Sequence, residues 1–459
     1  MRSERPLIET VAEYGVSLNY DDIPADAVGV AKRLVFDTLG TGLGGYQDPL
    51  GRKAVEFATE HMAGEGATVL GDGRTSSAEG AAFANGTMVK ILGMDDSHRR
   101  ASHIAAQVIP AALAAGEIEH VSGREFLAAI VAAYDLAVRV GRAVRQAQRD
   151  RGLDLKGTVG PMAGALAAGL CMGLDPQRLS HAISLGANMG SGTEQYVYDD
   201  GKCDTKDLLS GFAARNGVFA ARLASDDFYG PRGALDGEYG FFHAFGDGFD
   251  AAEFADLGGE FLITTTAFKP HGGCRHTHQA VDAVQTILEE GDLDPADIER
   301  ISVRTYGYAT RPSFRVDPDP GSRELAGMSI RVATAVAIVC HSAWPKDYEH
   351  WDDPEVRCLR HVTDVEVDPE IEAAYPDRNG CRVIVTLKGG QELEGYSPYA
   401  KGEPELRMTD AELQEKFSVL TVDILPSSRS EELFETCWVL ETLRDVGALL
   451  DLTSVEAQV

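Results

Sequence analysis

Lys90, Asp95, Asp96, His98, Arg99, Arg100 and His103 fall within fourteen residues, in the stretch NGTMVKILGMDDSHRRASH (85–103). Acids, bases and anion-binding groups at that density describe either the mouth of a site or a solvated loop. Lys90 stands alone in the apolar part of the stretch, one helical turn after Gly86. A second group is Asp204-Thr205-Lys206, just before a helix expected from about Leu208. A cation at a helix start opposes the helix dipole. Lys206 is therefore a snorkelling surface side chain, a lysine held by an anionic ligand, or a lysine with a lowered pKa that can act as a base. The third group, FKPHGGCRHTH (268–278), crowds Lys269, His271, Cys274, Arg275, His276 and His278 around a Gly272-Gly273 hinge. It reads as an anion-binding loop, a soft metal site through His271, Cys274 and His278, or a polar hinge. The adjoining Lys and Arg repel a dication and favour a carboxylate or phosphate. Asp95, Asp96, His98 and His103 could also be combined into a metal site, but they lack the close-spaced histidine pair of HExxH type. No metal is expected at either place.

Other chemistries lack their motifs. There is no nucleophile elbow, Walker loop, zinc-ribbon spacing or paired-carboxylate motif. Gly40-Thr41-Gly42-Leu43-Gly44-Gly45 is a formal GxGxxG, but the AKRLVFDTLG before it reads as helix rather than strand, so tight helix packing is the expectation. What remains is chemistry done by Lys, His and Asp on a small anion. The chain's 459 residues carry 42 Lys+Arg against 72 Asp+Glu, a net charge of −30. So acidic a surface repels phosphates and anionic lipid, which argues against nucleic acid and membrane as partners. Only 11 of the basic residues are Lys. The seven cysteines are scattered, odd in number and without a CxxC pair, as suits free thiols in a reducing, cytoplasmic setting. No signal-peptide core and no membrane-length apolar run is present.

The elements that must position these groups read as helix after helix in the first half. Asp22–Gly44, Ser76–Leu92, Ile104–Glu119, Gly123–Ala147, Val159–Met172 and Pro176–Met189 have apolar spacing of three to four residues. Ser122 with Glu125 forms a capping box, and Asp175-Pro176 places an N-cap before a first-turn proline. Ala and Gly on the apolar faces predict closely packed helices. After about Thr264, segments 301–307, 362–368 and 381–397 alternate apolar and polar residues, and the last contains a Gly389-Gly390 hairpin turn. Helices are expected at Thr277–Glu290 and Met328–Cys340 between the strands, and Asp410–Leu450 is helical again. The fold class is mainly α. A helical domain made of residues 1–265 and 401–459 is interrupted by an α+β domain at 266–400.

Ten blocks in order carry a family resemblance. They are FDTLGTGLGG, NG with GMDDSH and then His103, YDLAVRVG, RGLDLKGTVG, CDTKDLLSGFAARNGVFAARLA, FYGP, LDGEYGF, KPHGGCRHTHQAVDA, MSIRVATAVA and DAELQEKF. Together they resemble the MmgE/PrpD family of 2-methylcitrate dehydratase, cis-aconitate decarboxylase and iminodisuccinate epimerase, over nearly the full length. The resemblance implies a large all-helical domain with a smaller α+β lid, usually as a homodimer. It also implies a site between the two that needs no cofactor and takes di- or tricarboxylates. Lys206 matches the family's T-K lysine, Lys269 its K-P lysine, His103 the histidine after the D-D pair, and Asp95 and Asp96 that pair. Four positions depart: Gly93 stands for an Asp, and Lys90, Asp154 and Leu209 stand for histidines.

The shared hard step of the family is to move a proton, or lose CO₂, next to a carboxylate. Such a site must neutralise growing negative charge and place a base within reach. The assignment that follows makes His103 the general acid/base, oriented by Asp95 or Asp96, with Lys206 as an alternative base. Lys206, Lys269 and Arg275 would hold substrate carboxylates, with Lys90, Cys274 and His278 as further substrate contacts. The expected activity is a lyase on a small polycarboxylate, either dehydratase or decarboxylase. The alternatives are an epimerase using the same proton chemistry and a divergent, non-catalytic member.

Overall fold

The computed structural model describes residues 5–64, 66–198, 203–311 and 318–454. Residues 199–202 of the aromatic loop before Lys206 lie outside the described set. The chain divides into two compact units. The helical unit holds residues 1–91, 95–266 and 410–459, and the α+β unit holds residues 92–94 and 267–409.

The helical unit contains α1 (Leu7–Ser17), α2 (Ala25–Tyr46), α3 (Pro49–His61), α4 (Ala78–Ile91), α5 (Ala105–Ile118), α6 (Gly123–Asp150), α7 (Leu155–Cys171), α8 (Pro176–Asn188), α9 (Thr205–Ser225) and the short α10 (Phe241–Phe245). A two-stranded ribbon pairs β1 (Ala67–Thr68) with β2 (Thr75–Ser76). The capping signals act as their chemistry dictates. Ser122 accepts from the Glu125 amide while the Glu125 carboxylate returns to the Ser122 amide, and Asp175 accepts from Gln177 and Arg178. Helix α7 is wrapped by α5, α6, α8 and α9. Its approach to α9 depends on missing side chains: a Cβ on Gly217 would sit 2.6 Å from the Gly164 carbonyl carbon. The GxGxxG run lies inside α2, where a Cβ on Gly45 would sit 2.0 Å from the Met88 carbonyl oxygen of α4. Its glycines serve helix packing.

The α+β unit contains α11 (His278–Glu290), β3 (Ile298–Thr305), α12 (Arg323–Ala326), α13 (Ile330–Cys340), α14 (Pro354–His361), β4 (Thr363–Val367), α15 (Pro369–Ala374), β5 (Cys381–Leu387) and β6 (Glu392–Ser397). The strand order is β4-β3-β5-β6. Strand β3 runs parallel to β4 and antiparallel to β5, and the β5–β6 hairpin closes through Gly389-Gly390, with Gly390 at φ +81. Val281, Val284 and Ile287 of α11 and Val332 and Val336 of α13 bury against Ile301, Val303, Val383 and Val385 of the sheet. This is the alternation read at period two, its apolar face covered by helices. Residues 400–409 stay with this unit. The Phe268 amide donates to the Gly402 carbonyl, and the Lys401 amide donates to Asp282.

The chain then re-enters the helical unit as α16 (Asp410–Thr421), α17 (Ser427–Trp438) and α18 (Gly447–Leu450). The Lys416 ammonium meets Asp37 of α2 at 2.5 Å, both buried, and Phe417 stacks on Phe36 at 4.4 Å between centroids. Among the described residues, no helix is long and apolar enough to cross a membrane.

Candidate active site

The loop from α4 to α5 carries the first cluster, and its shape follows from two residues. Gly93 has φ +65, a left-handed conformation that glycine enters without a Cβ penalty. This gives a backbone reason for glycine where the family pattern has Asp. Asp96 closes the loop by accepting at one carboxylate oxygen from the amides of Ile104 and Ala105, both at 3.0 Å. It thus caps α5 from eight residues upstream and draws His103 back against the loop. The second Asp96 oxygen accepts from the Tyr134 hydroxyl of α6 at 3.0 Å. Burial, reinforced by the neighbouring Asp95 charge, pushes the Asp96 pKa up to about 7.

His103 Nδ1 lies 2.6 Å from the Asp96 carbonyl oxygen and 3.1 Å from an Asp95 carboxylate oxygen. A carbonyl oxygen only accepts, so Nδ1 carries the proton and the lone pair of the neutral ring falls on Nε2. The other Asp95 oxygen accepts from the Lys90 ammonium at 2.8 Å, and both side chains are buried. Lys90, on the last turn of α4, has its pKa held down by burial and by Lys156 and Lys206, against the pull of Asp95. His103 is about one quarter exposed and borders a small recess, with room for about one water molecule, lined also by Ser102, Gln107, Leu155 and the apolar Ala137, Val159 and Ala163. Gln107, one turn beyond His103 on α5, donates to the Ser210 hydroxyl of α9 at 2.9 Å.

Two more Lys–Asp pairs adjoin this array. Asp154 is the N-cap of α7, taking the Lys156 amide at 2.9 Å on one oxygen. Its other oxygen takes the Lys156 ammonium and the Tyr196 hydroxyl, each at 2.7 Å. Burial alone would raise the Asp154 carboxyl and lower Lys156, but their mutual attraction outweighs it and both stay ionised. Lys206 sits in the first turn of α9, partly exposed, 3.8 Å from Asp207. Asp207 is partly buried, and desolvation raises its pKa, although Lys206, Lys90 and Lys156 pull it down. Leu209, which replaces a family histidine, is buried apolar packing.

His98 was a conceivable ligand by sequence. Its Nε2 lies 2.8 Å from the Thr265 hydroxyl oxygen, and that hydroxyl donates its proton to the Leu262 carbonyl. His98 Nδ1 accepts from the Arg100 amide at 3.2 Å. Both ring nitrogens therefore hold the loop together. Asp95, Asp96 and His103 bring donor atoms within 4.8 Å of one another, the span of a cation site. The donors do not suit one. Lys90 occupies Asp95, two amides and a hydroxyl occupy Asp96, and His103 Nδ1 is protonated. A dication here would face an ammonium across one carboxylate.

The remaining candidates belong to the α+β unit. Lys269 is buried and donates to the Gly93 carbonyl at 2.7 Å. Arg275 donates from two nitrogens to Glu403, at 2.8 and 3.2 Å, and to the Lys401 carbonyl at 3.0 Å. It also donates to His278 Nδ1 at 3.2 Å, which puts the His278 proton on Nε2. His271 donates from Nε2 to Asp282 at 2.8 Å. Cys274 is a partly exposed thiol at the start of the turn leading into α11. His276 Nδ1 lies 2.5 Å from the Tyr306 hydroxyl, which also accepts from Gln279. His276 stood in the crowded loop without an assigned role, and Tyr306 was not among the candidates. The sequence offered a signal only for His276, in its crowded loop, because Tyr306 arrives at the end of a strand.

Residues 9–253 match the MmgE/PrpD N-terminal domain and residues 271–440 the MmgE/PrpD C-terminal domain. The chain belongs to the MmgE/PrpD family. It is 29% identical to the cis-aconitate decarboxylase-like protein oryM of Aspergillus oryzae, over 96% of this chain and 95% of that protein. It is 24% identical to cis-aconitate decarboxylase of Aspergillus terreus, covering 96% and 94% of the two chains. It is 27% identical to the human cis-aconitate decarboxylase, covering 92% and 89%.

Proposed function

We propose that this protein is a lyase that removes CO₂ from a small tricarboxylate, with cis-aconitate as the first candidate. End-to-end similarity to proteins of that name supports the reading. The observation that carries it is His103, held at Nδ1 by the Asp96 carbonyl with an Asp95 carboxylate oxygen 3.1 Å away, so that its basic nitrogen lies on the other, partly exposed edge of the ring.

The chemistry asks for that arrangement. The bond between the substrate's methylene carbon and its carboxylate breaks. The electron pair becomes a new double bond to the methylene, the original double bond shifts, and the far vinylic carbon takes up one proton as CO₂ leaves. One proton enters and one CO₂ departs. His103, as imidazolium, supplies the proton from Nε2, and the Asp95 anion at Nδ1 stabilises that cation. Lys206, the most exposed of the three lysines, takes a substrate carboxylate and offsets the charge that develops. Lys269 and Arg275 are committed to the Gly93 carbonyl and to Glu403, so among the cations named by sequence the proposal rests on Lys206 for the substrate carboxylate.

Incubation with cis-aconitate, 2-methylcitrate and aspartate-derived acids in D₂O, followed by proton NMR, tests the reading. Release of CO₂ with a new terminal methylene signal and one incorporated deuteron is expected from cis-aconitate. Deuterium exchange without loss of CO₂ identifies an epimerase and overturns the proposal, as does silence with all three.

A further inference from the structure

We infer that Lys90 is a positioning residue, which acts on His103 through Asp95 and does not itself grip the substrate. Three contacts form a chain: ammonium to Asp95 at 2.8 Å, the same carboxylate's other oxygen to His103 Nδ1 at 3.1 Å, and Nδ1 to the Asp96 carbonyl at 2.6 Å. Lys90 is 3% exposed, at the inner end of this chain, whereas His103 is at the outer end beside the recess. An isolated buried carboxylate would either protonate or swing toward other donors. A fixed ammonium on one oxygen holds the carboxylate in place and leaves the second oxygen 3.1 Å from the imidazole nitrogen. Lys90 stands where the family pattern has a histidine. A lysine there supplies the carboxylate with a cation at any working pH at which it remains protonated.

The groups that face this array come from several elements, Asp37 of α2 among them. The others are Tyr134 of α6, Asp154 and Lys156 of α7, Lys206 and Asp207 of α9, and Asp96 of the loop itself. Lys156 and Lys206 repel the Lys90 ammonium, which the Asp95 carboxylate attracts. The inference deepens the proposed reaction, and its test has an arm that needs no turnover.

Lys90→Met, Asp95→Asn and the double variant would be made in the full chain. If Lys90 works through Asp95, each single variant lowers kcat about 10- to 100-fold, the loss typical of a misplaced reacting group, with KM within about threefold. The double variant is then no slower than the slower single. A KM rise above about tenfold in Lys90→Met, or losses that multiply in the double variant, would place Lys90 on the substrate and overturn the inference. The second arm reads the ¹⁵N and Nδ1-proton resonances of His103 in free protein, assigned with His103→Gln. Lys90→Met should shift them in the wild-type background and leave them largely unmoved in the Asp95→Asn background. Unmoved resonances in a folded Lys90→Met variant overturn the inference even if no substrate is turned over. Should Lys90→Met not fold, Lys90→Gln, which keeps a hydrogen-bond donor but no charge, takes its place in both arms, and unmoved His103 resonances in that folded variant overturn the inference.

Discussion

The charged cluster of the helical unit and that of the α+β unit use the same residue types in different ways. In the helical unit's cluster three lysines meet aspartates close in sequence: Lys90 with Asp95, Lys156 with Asp154, Lys206 with Asp207. The pairs are set by single helix ends and lie close enough to act on one another, and Asp95 of the first lies against His103. In the α+β unit the cations reach far along the chain, Lys269 to Gly93 across 176 residues and Arg275 to Glu403 across 128. Those contacts tie loops 92–94 and 400–403 to the start of α11. The difference teaches that a dense run of Lys, Arg and His marks a functional region without telling which members do chemistry and which fasten the backbone.

Substitutions can break or sharpen this contrast. The largest effect is expected at His103. His103→Gln should lower kcat by about 10² to 10⁴-fold, the usual share of a general acid/base, while the thermal midpoint stays near that of the wild type. A variant that keeps turnover but melts early would move His103 to the fastening class. Lys206→Met should slow kcat/KM by about 30- to 1000-fold, equivalent to roughly 2–4 kcal/mol for one charge-stabilising contact. Steady-state kinetics at several substrate concentrations would show it.

Arg275→Ala should do the opposite of His103→Gln. It strips the guanidinium from Glu403, a carboxylate only 2% exposed, and should cost the α+β unit on the order of 3–5 kcal/mol in urea unfolding. Retained stability with lost turnover would instead put Arg275 on the substrate.

A pH series separates Asp96 from Asp95. The Asp96 pKa is raised from 3.8 to about 7 in the folded protein, so the folded state holds the proton more tightly than the unfolded chain. Its contribution is fully present below about pH 4 and is lost as pH rises through 7. Asp96→Asn should flatten that part of the stability–pH curve, a difference of at most about 4 kcal/mol at roughly 1.4 kcal/mol per pH unit. Urea unfolding of both proteins at pH 5 and pH 8 measures it. The smallest effect is local: Ser122→Ala removes a capping box and should cost about 1 kcal/mol.

The helices were readable because their signals are local. Ser122 with Glu125 and Asp175 with Pro176 mark helix starts within four residues, and the small-residue faces announced the close packing that Gly217 and Gly164 show. Helices α1 and α3 were not singled out. Helix α3 carries the same Asp-Pro start signal as α8, at Asp48-Pro49, so it was legible by the same local rule. In the site, Lys90, Asp95, Asp96 and His103 stood out by density. Their division of labour did not, because nothing in the spacing tells that Asp96 caps α5 while Asp95 faces the imidazole. Asp154 was noticed as a departure from a family histidine. Its role as an N-cap that also anchors Lys156 and Tyr196 was not visible, since Tyr196 joins from 42 residues away.

By itself the sequence determined the periodicities, the caps, the family and the inventory of acids and bases, all of which depend on near neighbours or on the order of blocks. Only the tertiary structure decided which lysine met which carboxylate, which histidine nitrogen kept its proton and which arginine was used up in holding a loop. Those outcomes depend on burial and on distances of about 3 Å between groups whose separation along the chain carries no information about their separation in space.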